Sequence, residues 1–356
     1  MVKSLSKKAV FTSRIKRRVL KHVWLVRLFI IGLAAVSLYI ILALFLVLLR
    51  GTPLQQSLSF VSNFILAPRD KILSVDGNTN ILILGKAGEN HDAPDLTDTI
   101  IFGSVSRDQK NISLVSLPRD IWIPSLRAKL NSAYYWGNQK QAGGGLILAK
   151  STVEEIIGQP VHYALVIDFA GFTKVIDVLG GIEVDVERDF VDEKYPIAGR
   201  ERDLCGGDPE YKCRYETISF TKGTRFMDGE TALKFVRSRN AQGDEGTDLA
   251  RGARQQKIIA AIKNKLLSPD IFFSPRKAFA ILKIAKDYTE TDITPEALAI
   301  AAREIVEARN NVNSHVLPEE FLINPPISIK YDNLYVFVPE GGNWDAVHAW
   351  VESVLP

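Results

Sequence analysis

The sequence predicts an α/β fold, an α-β-α sandwich that follows one N-terminal transmembrane helix. Three observations carry this prediction. A run of 22 residues without a charge lies near the N-terminus, short apolar strands alternate with helices over the rest of the chain, and no Pro- or Gly-rich linker divides residues 80–356. Alternation of strands and helices is typical of a sheet covered by helices on both faces. We therefore expect a single extracytoplasmic domain behind a membrane anchor.

The first element is the apolar run Leu28–Leu49, which is bounded by Arg27 and Arg50. Roughly 20 apolar residues span a bilayer as a helix, whereas the core of a cleaved signal is about 7–15 residues long and precedes small residues. This run ends in Phe45–Leu49, without a small-residue cleavage site. The pattern favours a retained anchor over a cleaved signal or a buried soluble helix.

The flanking charges predict the orientation of the anchor. Residues 1–27 carry nine Lys or Arg and no acidic residue, and short basic flanks stay in the cytoplasm. Without these nine and Arg50, the 44 basic residues fall to 34 against 41 acidic ones, a net charge of −7. We expect a single-pass protein of the cell membrane, with its N-terminus in the cytoplasm and an acidic domain outside. Such a domain is not a general nucleic-acid binder.

Four segments follow from this pattern: a cytoplasmic tail at 1–27, the transmembrane helix at 28–49, a juxtamembrane connector at 50–79 with room for a short helix, and the domain at 80–356. Periodicity and turn signals predict the elements of the domain in order. The strands are Asn80–Gly85, Thr99–Val105, Asn111–Leu117, Ala164–Asp168, Ile182–Val186 and Leu334–Val338. The helices are Gly143–Ile157, Phe172–Leu179, Thr231–Val236, Leu249–Leu267, Pro295–Ala308 and Trp344–Val354.

The two cysteines, Cys205 and Cys213, lie close together in a segment that contains Gly206, Gly207 and Pro209. An isolated close pair in an extracytoplasmic loop predicts a local disulfide. The alternative is a pair of unpaired thiols in a reducing compartment. A zinc site lacks a third and a fourth ligand nearby.

Four arginines lie within twenty residues, at Arg237, Arg239, Arg251 and Arg254. The arginine fork fits phosphate oxygens, and several forks close together repel each other unless an anion lies between them. Gln255 follows Arg251 at a spacing of four, so both lie on one side of a helix. That helix begins near the cluster, and a helix N-terminus attracts anions. A salt-bridged surface helix is the alternative, but the pattern favours a polyphosphate site.

Two further clusters follow predicted strands. The loop Asp92–Thr99 contains Asp92, Asp95 and Asp98, and such carboxylates suit Mg²⁺ when phosphates complete its shell. A polar turn with aspartate caps explains the same loop equally well. The pair Arg119–Asp120 follows a proline at the end of a strand, and a structural ion pair is its simplest interpretation.

The order of these motifs resembles the LytR-CpsA-Psr family. The resemblance is collinear over residues 80–267. It consists of the strand ending in Gly85, the Asp-Thr loop, and the segments Ser116–Asp120, Asn131–Tyr134, Asp177–Val184, Asp228–Gly229, Arg237–Arg239 and Asp248–Gln255. It implies an α-β-α sandwich of the family type, with a central mixed sheet and a pocket for a lipid tail. It also implies a bacterial phosphotransferase that moves a glycopolymer from a polyprenyl-pyrophosphate carrier to peptidoglycan, dependent on Mg²⁺ or Mn²⁺.

By position, the resemblance assigns the pyrophosphate and catalytic roles to Arg119, Arg237, Arg239 and Arg251, which act with Asp98. Gln255 and Arg254 also bind the pyrophosphate, Arg254 and Asp248 support the other residues, and Asp98 holds the metal. The chain departs from the family pattern twice. Ala87 stands where the family has an aspartate, and Leu96 stands where it has an arginine. Glu89, His91, Asp92 and Asp95 are the candidates to replace the lost ligand, and Asp95 is our choice.

The partners expected from the resemblance are the lipid-linked glycopolymer, peptidoglycan and membrane lipid. Two rival functions remain at this point. The domain either binds polyprenyl pyrophosphates without turnover, as a regulatory module, or hydrolyses them as a pyrophosphatase.

Overall fold

The computed structural model describes residues 53–88, 93–272 and 274–356. The chain divides into two units, Met1–Ser62 and Asn63–Pro356, and the fold below is that of the second. None of the helices in the described ranges is long and apolar enough to cross a membrane. The predicted anchor Leu28–Leu49 and the basic tail lie outside these ranges.

Fourteen strands lie within the described residues. They are β1 (Asn78–Lys86), β2 (Thr97–Ser106), β3 (Asn111–Ser116), β4 (Trp122–Ile123), β5 (Ala128–Lys129), β6 (Tyr163–Asp168), β7 (Ile182–Val186), β8 (Phe190–Pro196), β9 (Tyr215–Phe220), β10 (Gly223–Met227), β11 (Thr289–Thr291), β12 (Val312–Val316), β13 (Leu322–Ile323) and β14 (Val338–Pro339).

The α-helices of the same ranges are α1 (Pro53–Leu66), α2 (Ala133–Lys140), α3 (Gly144–Ile157), α4 (Phe169–Leu179), α5 (Gly229–Arg237), α6 (Asp248–Leu266), α7 (Pro269–Phe272), α8 (Pro275–Tyr288), α9 (Pro295–Glu307) and α10 (Asp345–Val354).

A six-stranded mixed sheet forms the centre, in the order β11-β6-β1-β2-β3-β12. β1 runs parallel to β6 and β3 runs parallel to β12, while the other neighbours are antiparallel. Side chains of a strand alternate between the two faces of a sheet. Leu82 and Leu84 of β1 accordingly pack with α3 and α10 on one face. On the other face, Ile81 packs with α9, and Ile83 and Ile259 of α6 both pack against a cluster of β2 and β3 residues. The predicted α-β-α layering and the mixed sheet are therefore confirmed.

A second core lies beside the sheet. It is built from α4, α5, α6 and two small sheets, one formed by β7 with β10 and the other by β8 with β9. Phe190, Phe220 and Phe235 form its aromatic centre, with ring centroids 5.1–6.0 Å apart. Ile258 places one face of α6 in this core. Helix α6 thus joins the second core to the sheet.

Most predicted elements are present with boundaries shifted by a few residues. One prediction, the strand Leu334–Val338, is wrong. Leu334 and Tyr335 are exposed, Phe337 forms an isolated parallel bridge with Ile121, and the regular strand pairing is that of Val338–Pro339 with β13. The helices α2, α7 and α8 and the strands β4, β5 and β8 to β13 were not predicted.

Candidate functional site

An open cavity of about 640 Å³ lies where the central sheet meets α5 and α6. Its walls come from the start of β2, the segment after β3, the end of α5 and the first turns of α6. Five basic side chains line it, against three acidic ones: Arg119, Lys129, Arg237, Arg239 and Arg251, with Asp98, Asp120 and Glu319. An excess of fixed positive charge in a concave wall favours an anionic ligand.

Arg119 lies at the centre of an ion-pair network on one wall. It binds Asp98 through Nη1, and its Nε lies 3.3 Å from Asp120 Oδ2. The other oxygen of the buried Asp120 accepts a hydrogen bond from Lys129 Nζ at 2.6 Å. Asn131 Nδ2 also donates to Asp98, at 3.4 Å. Asp120 therefore orients two cations that face the cavity.

Asp98 lies beside the arginines of the cavity. Burial acts to raise the pKa of its carboxyl, but the charges of Arg119, Arg239 and Arg251 outweigh burial and lower this pKa below its ordinary value of 3.8. The carboxylate is consequently ionised at neutral pH. Its negative charge also offsets the mutual repulsion of the neighbouring arginines before a ligand binds.

Arg237 and Arg239 enter the cavity side by side because α5 ends at Arg237 and the chain then turns extended at Ser238, with ψ of 131°. The Arg237 guanidinium lies 4.5 Å from the centroid of the Phe169 ring, and its Nη1 lies 3.5 Å from the Tyr195 hydroxyl.

The fully buried Asp192 of β8 holds the backbone of this arginine segment, residues 237–240, through hydrogen bonds. Asp192 Oδ2 accepts three hydrogen bonds: from Ser238 Oγ at 2.8 Å, from Arg239 N at 3.1 Å and from Asn240 N at 3.1 Å. Its Oδ1 accepts a bond from Lys194 N at 3.0 Å. The two arginines are thus held in place by a carboxylate that does not face the cavity.

Arg254 fixes the same segment from another side. Its guanidinium donates to Phe235 O at 3.0 Å, to Ser238 O at 2.7 Å and to Glu245 at 2.8 Å. The structure does not bring Arg254 to the cavity wall, because its donors are directed at backbone carbonyls and Glu245. Arg254 is therefore a supporting residue. It does not line the cavity, so it is not placed to make the pyrophosphate contact that the resemblance assigns to it.

Helix α6 presents its N-terminus to the cavity. Thr247 is the N-cap and accepts a hydrogen bond from Ala250 N, so the helix begins at Asp248, a residue of the first turn rather than the cap. Arg251 and Gln255 follow on the cavity side, and Gln255 Nε2 donates to Thr99 Oγ1 at 3.0 Å. Gly252 lets the helix approach the sheet, since a Cβ there would lie 3.2 Å from Val316 Cγ2.

Among the described residues of the cavity, Asp98 fits the role of a ligand for a divalent cation. Mg²⁺ is usually held by one or two carboxylates together with substrate phosphates. Asp98 is ionised and lines the cavity, so it fits that role. Asp95 does not line the cavity and instead pairs with Lys86 at 2.8 Å. The alternative ligands Glu89, His91 and Asp92 lie outside the described residues.

The cysteines form a disulfide, as their spacing predicted. Across the described ranges, Asp203, Cys205 and Cys213 are the one group whose ligand atoms lie close enough to hold a metal. Because both sulfur atoms are bonded to each other, this group is not a metal site. The disulfide closes the loop between β8 and β9.

The structure therefore brings together six of the residues selected from the sequence, namely Asp98, Arg119, Arg237, Arg239, Arg251 and Gln255. Sequence reasoning missed Lys129, Tyr195, Phe169 and Asp192. One signal for Asp192 was available: the alternating strand Phe190–Pro196 places an aspartate on the side of its apolar residues.

Comparison with known proteins adds a sequence and a structural likeness. The sequence model of the LytR_cpsA_psr family matches residues 56–351. The chain is 30% identical over 238 residues to TagU of Oceanobacillus iheyensis, named a polyisoprenyl-teichoic acid–peptidoglycan teichoic acid transferase, covering 66% of this chain and 65% of that protein. It is 32% identical over 198 residues to the transferase TagT of Bacillus subtilis, covering 53% of each. The match thus spans between half and two thirds of each relative.

The fold is also similar to that of a solved structure. The crystal structure of TagV of Bacillus subtilis superposes with a TM-score of 0.54 and 24% identity, over 79% of this chain and 98% of that one. At that identity the likeness supports the fold alone. The mixed sheet and its flanking helices agree with this neighbour.

Proposed function

Because the chain belongs to the LytR-CpsA-Psr family, we propose that it is a membrane-anchored phosphotransferase that moves a glycopolymer from a polyprenyl-pyrophosphate carrier to peptidoglycan. The relatives carry the name of teichoic acid transferases, and teichoic acid is one example of such a polymer. The observation that carries the proposal is the cavity in which Arg119, Arg237, Arg239 and Arg251 converge. A pyrophosphate is the anion that such a cluster of arginine forks fits.

The proposed reaction depends on position and charge. A hydroxyl of the acceptor attacks the sugar-linked phosphorus, and the polyprenyl phosphate leaves. The arginines hold the pyrophosphate oxygens and stabilise the charge that develops on them. Asp192 and Arg254 hold two of those arginines in place, which removes the cost of arranging them during the reaction. Mg²⁺, held by Asp98 and the phosphates, would neutralise further charge on the leaving phosphate.

The proposed topology follows from the sequence. Residues 28–49 would anchor the protein in the cell membrane, residues 1–27 would remain in the cytoplasm, and the domain would face the outside. In this arrangement the cavity meets a carrier lipid that is itself anchored in the outer leaflet. A protease-protection experiment on intact cells tests it: loss of the domain with survival of the tail supports the topology, and the reverse pattern refutes it.

The activity is tested by incubating the purified protein with a polyprenyl-pyrophosphate oligosaccharide, with and without peptidoglycan and Mg²⁺. Sugar phosphate joined to peptidoglycan supports transfer. Free phosphate without an acceptor points to a pyrophosphatase, and binding without turnover under any metal points to a regulatory module. Replacement of Arg251 by Ala should lower transfer by about 10²–10³-fold, the usual cost of one donor to a developing charge. An unchanged variant would refute the proposed site.

A further inference from the structure

A second groove of about 450 Å³ adjoins the arginine-lined cavity. The two share Thr247 and Glu319 on their walls, so they meet at these residues. The groove runs along the outer side of α6, past Ala250 and Ala253, towards the loop after β7. Its volume lies in the range of about 300–1,000 Å³ that small-molecule sites occupy.

The charges of this groove differ from those of the cavity. Its basic side chains pair with acidic ones: Arg188 with Asp244 at 3.0 Å, and Lys257 with Glu187 at 2.6 Å. Arg254, also on its wall, pairs with Glu245 at 2.8 Å. None of the four cavity arginines lines the groove. The groove therefore suits an uncharged ligand rich in hydroxyl groups, and does not suit a second phosphate.

Glu319 occupies the junction of the two spaces. It follows β12, whose end lies beside the end of β3 and hence beside the segment that carries Arg119. Glu319 lines the cavity together with Arg251 and Asp98, and it lines the groove as well. It is exposed, and within the described part of the chain no ion pair engages its carboxylate. The other two acidic residues of the cavity, Asp98 and Asp120, both form ion pairs with Arg119.

We propose that the second groove binds the glycan acceptor and that Glu319 is the general base for the acceptor hydroxyl. This inference rests on the proposed transfer function and deepens it. A glycan in the groove would reach the cavity at its edge, where Glu319 stands between the hydroxyl and the pyrophosphate. A general base must lie within hydrogen-bond reach of the proton that it removes, and Glu319 is the carboxylate that both spaces share.

The step balances without a further reactant. The acceptor O–H proton passes to the Glu319 carboxylate while the acceptor oxygen forms a bond to the sugar-linked phosphorus. The bond from that phosphorus to the bridging oxygen breaks, and its electron pair leaves with the polyprenyl phosphate. The proton on Glu319 then passes to solvent. The product is a phosphodiester between the two glycans.

The first test replaces Glu319 by Gln and uses Glu320→Gln as the matched control, since Glu320 is its exposed neighbour and lines neither space. A general base contributes about 10²–10⁴-fold to a rate. We expect kcat for transfer to fall at least 100-fold in Glu319→Gln, with the Kd of the lipid donor and the KM of the acceptor within twofold of wild type. A kcat equal to that of Glu320→Gln would overturn the role of Glu319.

The second test fills the groove. Ala253→Trp places a large ring in it, and Ala260→Trp places the same ring on an exposed position of α6 outside both spaces. We expect Ala253→Trp to raise the KM for peptidoglycan at least tenfold, with the donor Kd unchanged and the control like wild type. Weaker donor binding with an unchanged acceptor KM would overturn the proposal, because the groove would then hold the donor.

An error in the proposed function and an error in the acceptor groove would give different results. If the wild-type protein neither binds nor turns over the lipid donor, the proposed function itself is wrong. If wild type transfers normally and both variants match their controls, the function stands, and the acceptor groove with its base is wrong.

Discussion

The change Asp192→Asn tests whether a carboxylate outside the cavity holds the phosphate-binding arginines in place. Asp192 Oδ2 accepts three hydrogen bonds, at 2.8, 3.1 and 3.1 Å, from Ser238 Oγ and the N–H groups of Arg239 and Asn240. A hydrogen bond to a charged group contributes about 1.5–3 kcal/mol, and a neutral one about 0.5–1.5 kcal/mol. Three weakened bonds therefore cost about 3 kcal/mol.

A second cost arises on the other oxygen of Asp192. When the amide oxygen of Asn faces the three donors, its NH₂ group faces Lys194 N–H, which now donates to Oδ1 at 3.0 Å. Because Lys194 is exposed, this loss lies at the low end of the about 1–3 kcal/mol that an unsatisfied buried donor costs. We expect Asp192→Asn to lower the free energy of unfolding by about 4 kcal/mol in urea titrations. The milder Ser238→Ala removes one bond, with an expected loss of about 1–2 kcal/mol.

The functional consequence is measured by titrating pyrophosphate into folded protein, with circular dichroism as the check of folding. Release of the arginine segment should weaken pyrophosphate binding by about 10–100-fold, the equivalent of one charge-assisted contact. Glu193→Gln is the matched control, because Glu193 is exposed on the same strand. If Asp192→Asn binds pyrophosphate within twofold of wild type and unfolds within 1 kcal/mol of it, the reasoning is refuted.

Three further predictions concern the surroundings of the site. Gly252→Leu should lower the free energy of unfolding by about 1–3 kcal/mol through overpacking, because even a Cβ at this position would lie only 3.2 Å from Val316 of β12. The variant should also bind pyrophosphate more weakly, and equal affinity would show that the close approach of α6 to the sheet is not needed. Burial lowers the pKa of His162 from its ordinary 6.5, so the unfolded chain binds the extra proton and stability falls as pH drops through about 6.5. His162→Asn should flatten that part of the stability–pH curve, and an unchanged slope would contradict this. Joint replacement of Cys205 and Cys213 by Ser should cost about 2–3 kcal/mol for a loop of this length, measured by urea unfolding, and no loss would contradict a structural disulfide.

The residues that the sequence identified share one property: their signal is local. The arginines of Arg237–Arg239 and the helix that carries Arg251 and Gln255 stand out within a short window, and the apolar run of β1 is a strand signal on its own. Their grouping with Asp98 came from the family resemblance, and in the structure these residues line one cavity together with Asp98.

What the sequence did not reveal depends on distant contacts. Asp192 acts on a segment 46 residues away, and its hairpin is irregular, with a register shift between Asp192 and Tyr195 that blurs the alternation of β8. β12 is half exposed and polar, so it carries no apolar run. The failed strand prediction at 334–338 has a related cause. Its aromatic residues Tyr335 and Phe337 line the cavity and contact each other edge to face, and the pairing of Phe337 is limited to one bridge with Ile121.

The most direct test of the central claim, that the arginine-lined cavity binds pyrophosphate, is the Kd of a polyprenyl pyrophosphate for the Arg239→Ala variant. Arg239 lines the cavity but is exposed, so its truncation leaves the core intact. Arg276→Ala, an exposed arginine on α8 outside the cavity, is the control. The account predicts binding weakened by about 10–100-fold in Arg239→Ala and unchanged in the control. Equal affinities for wild type and both variants would contradict it.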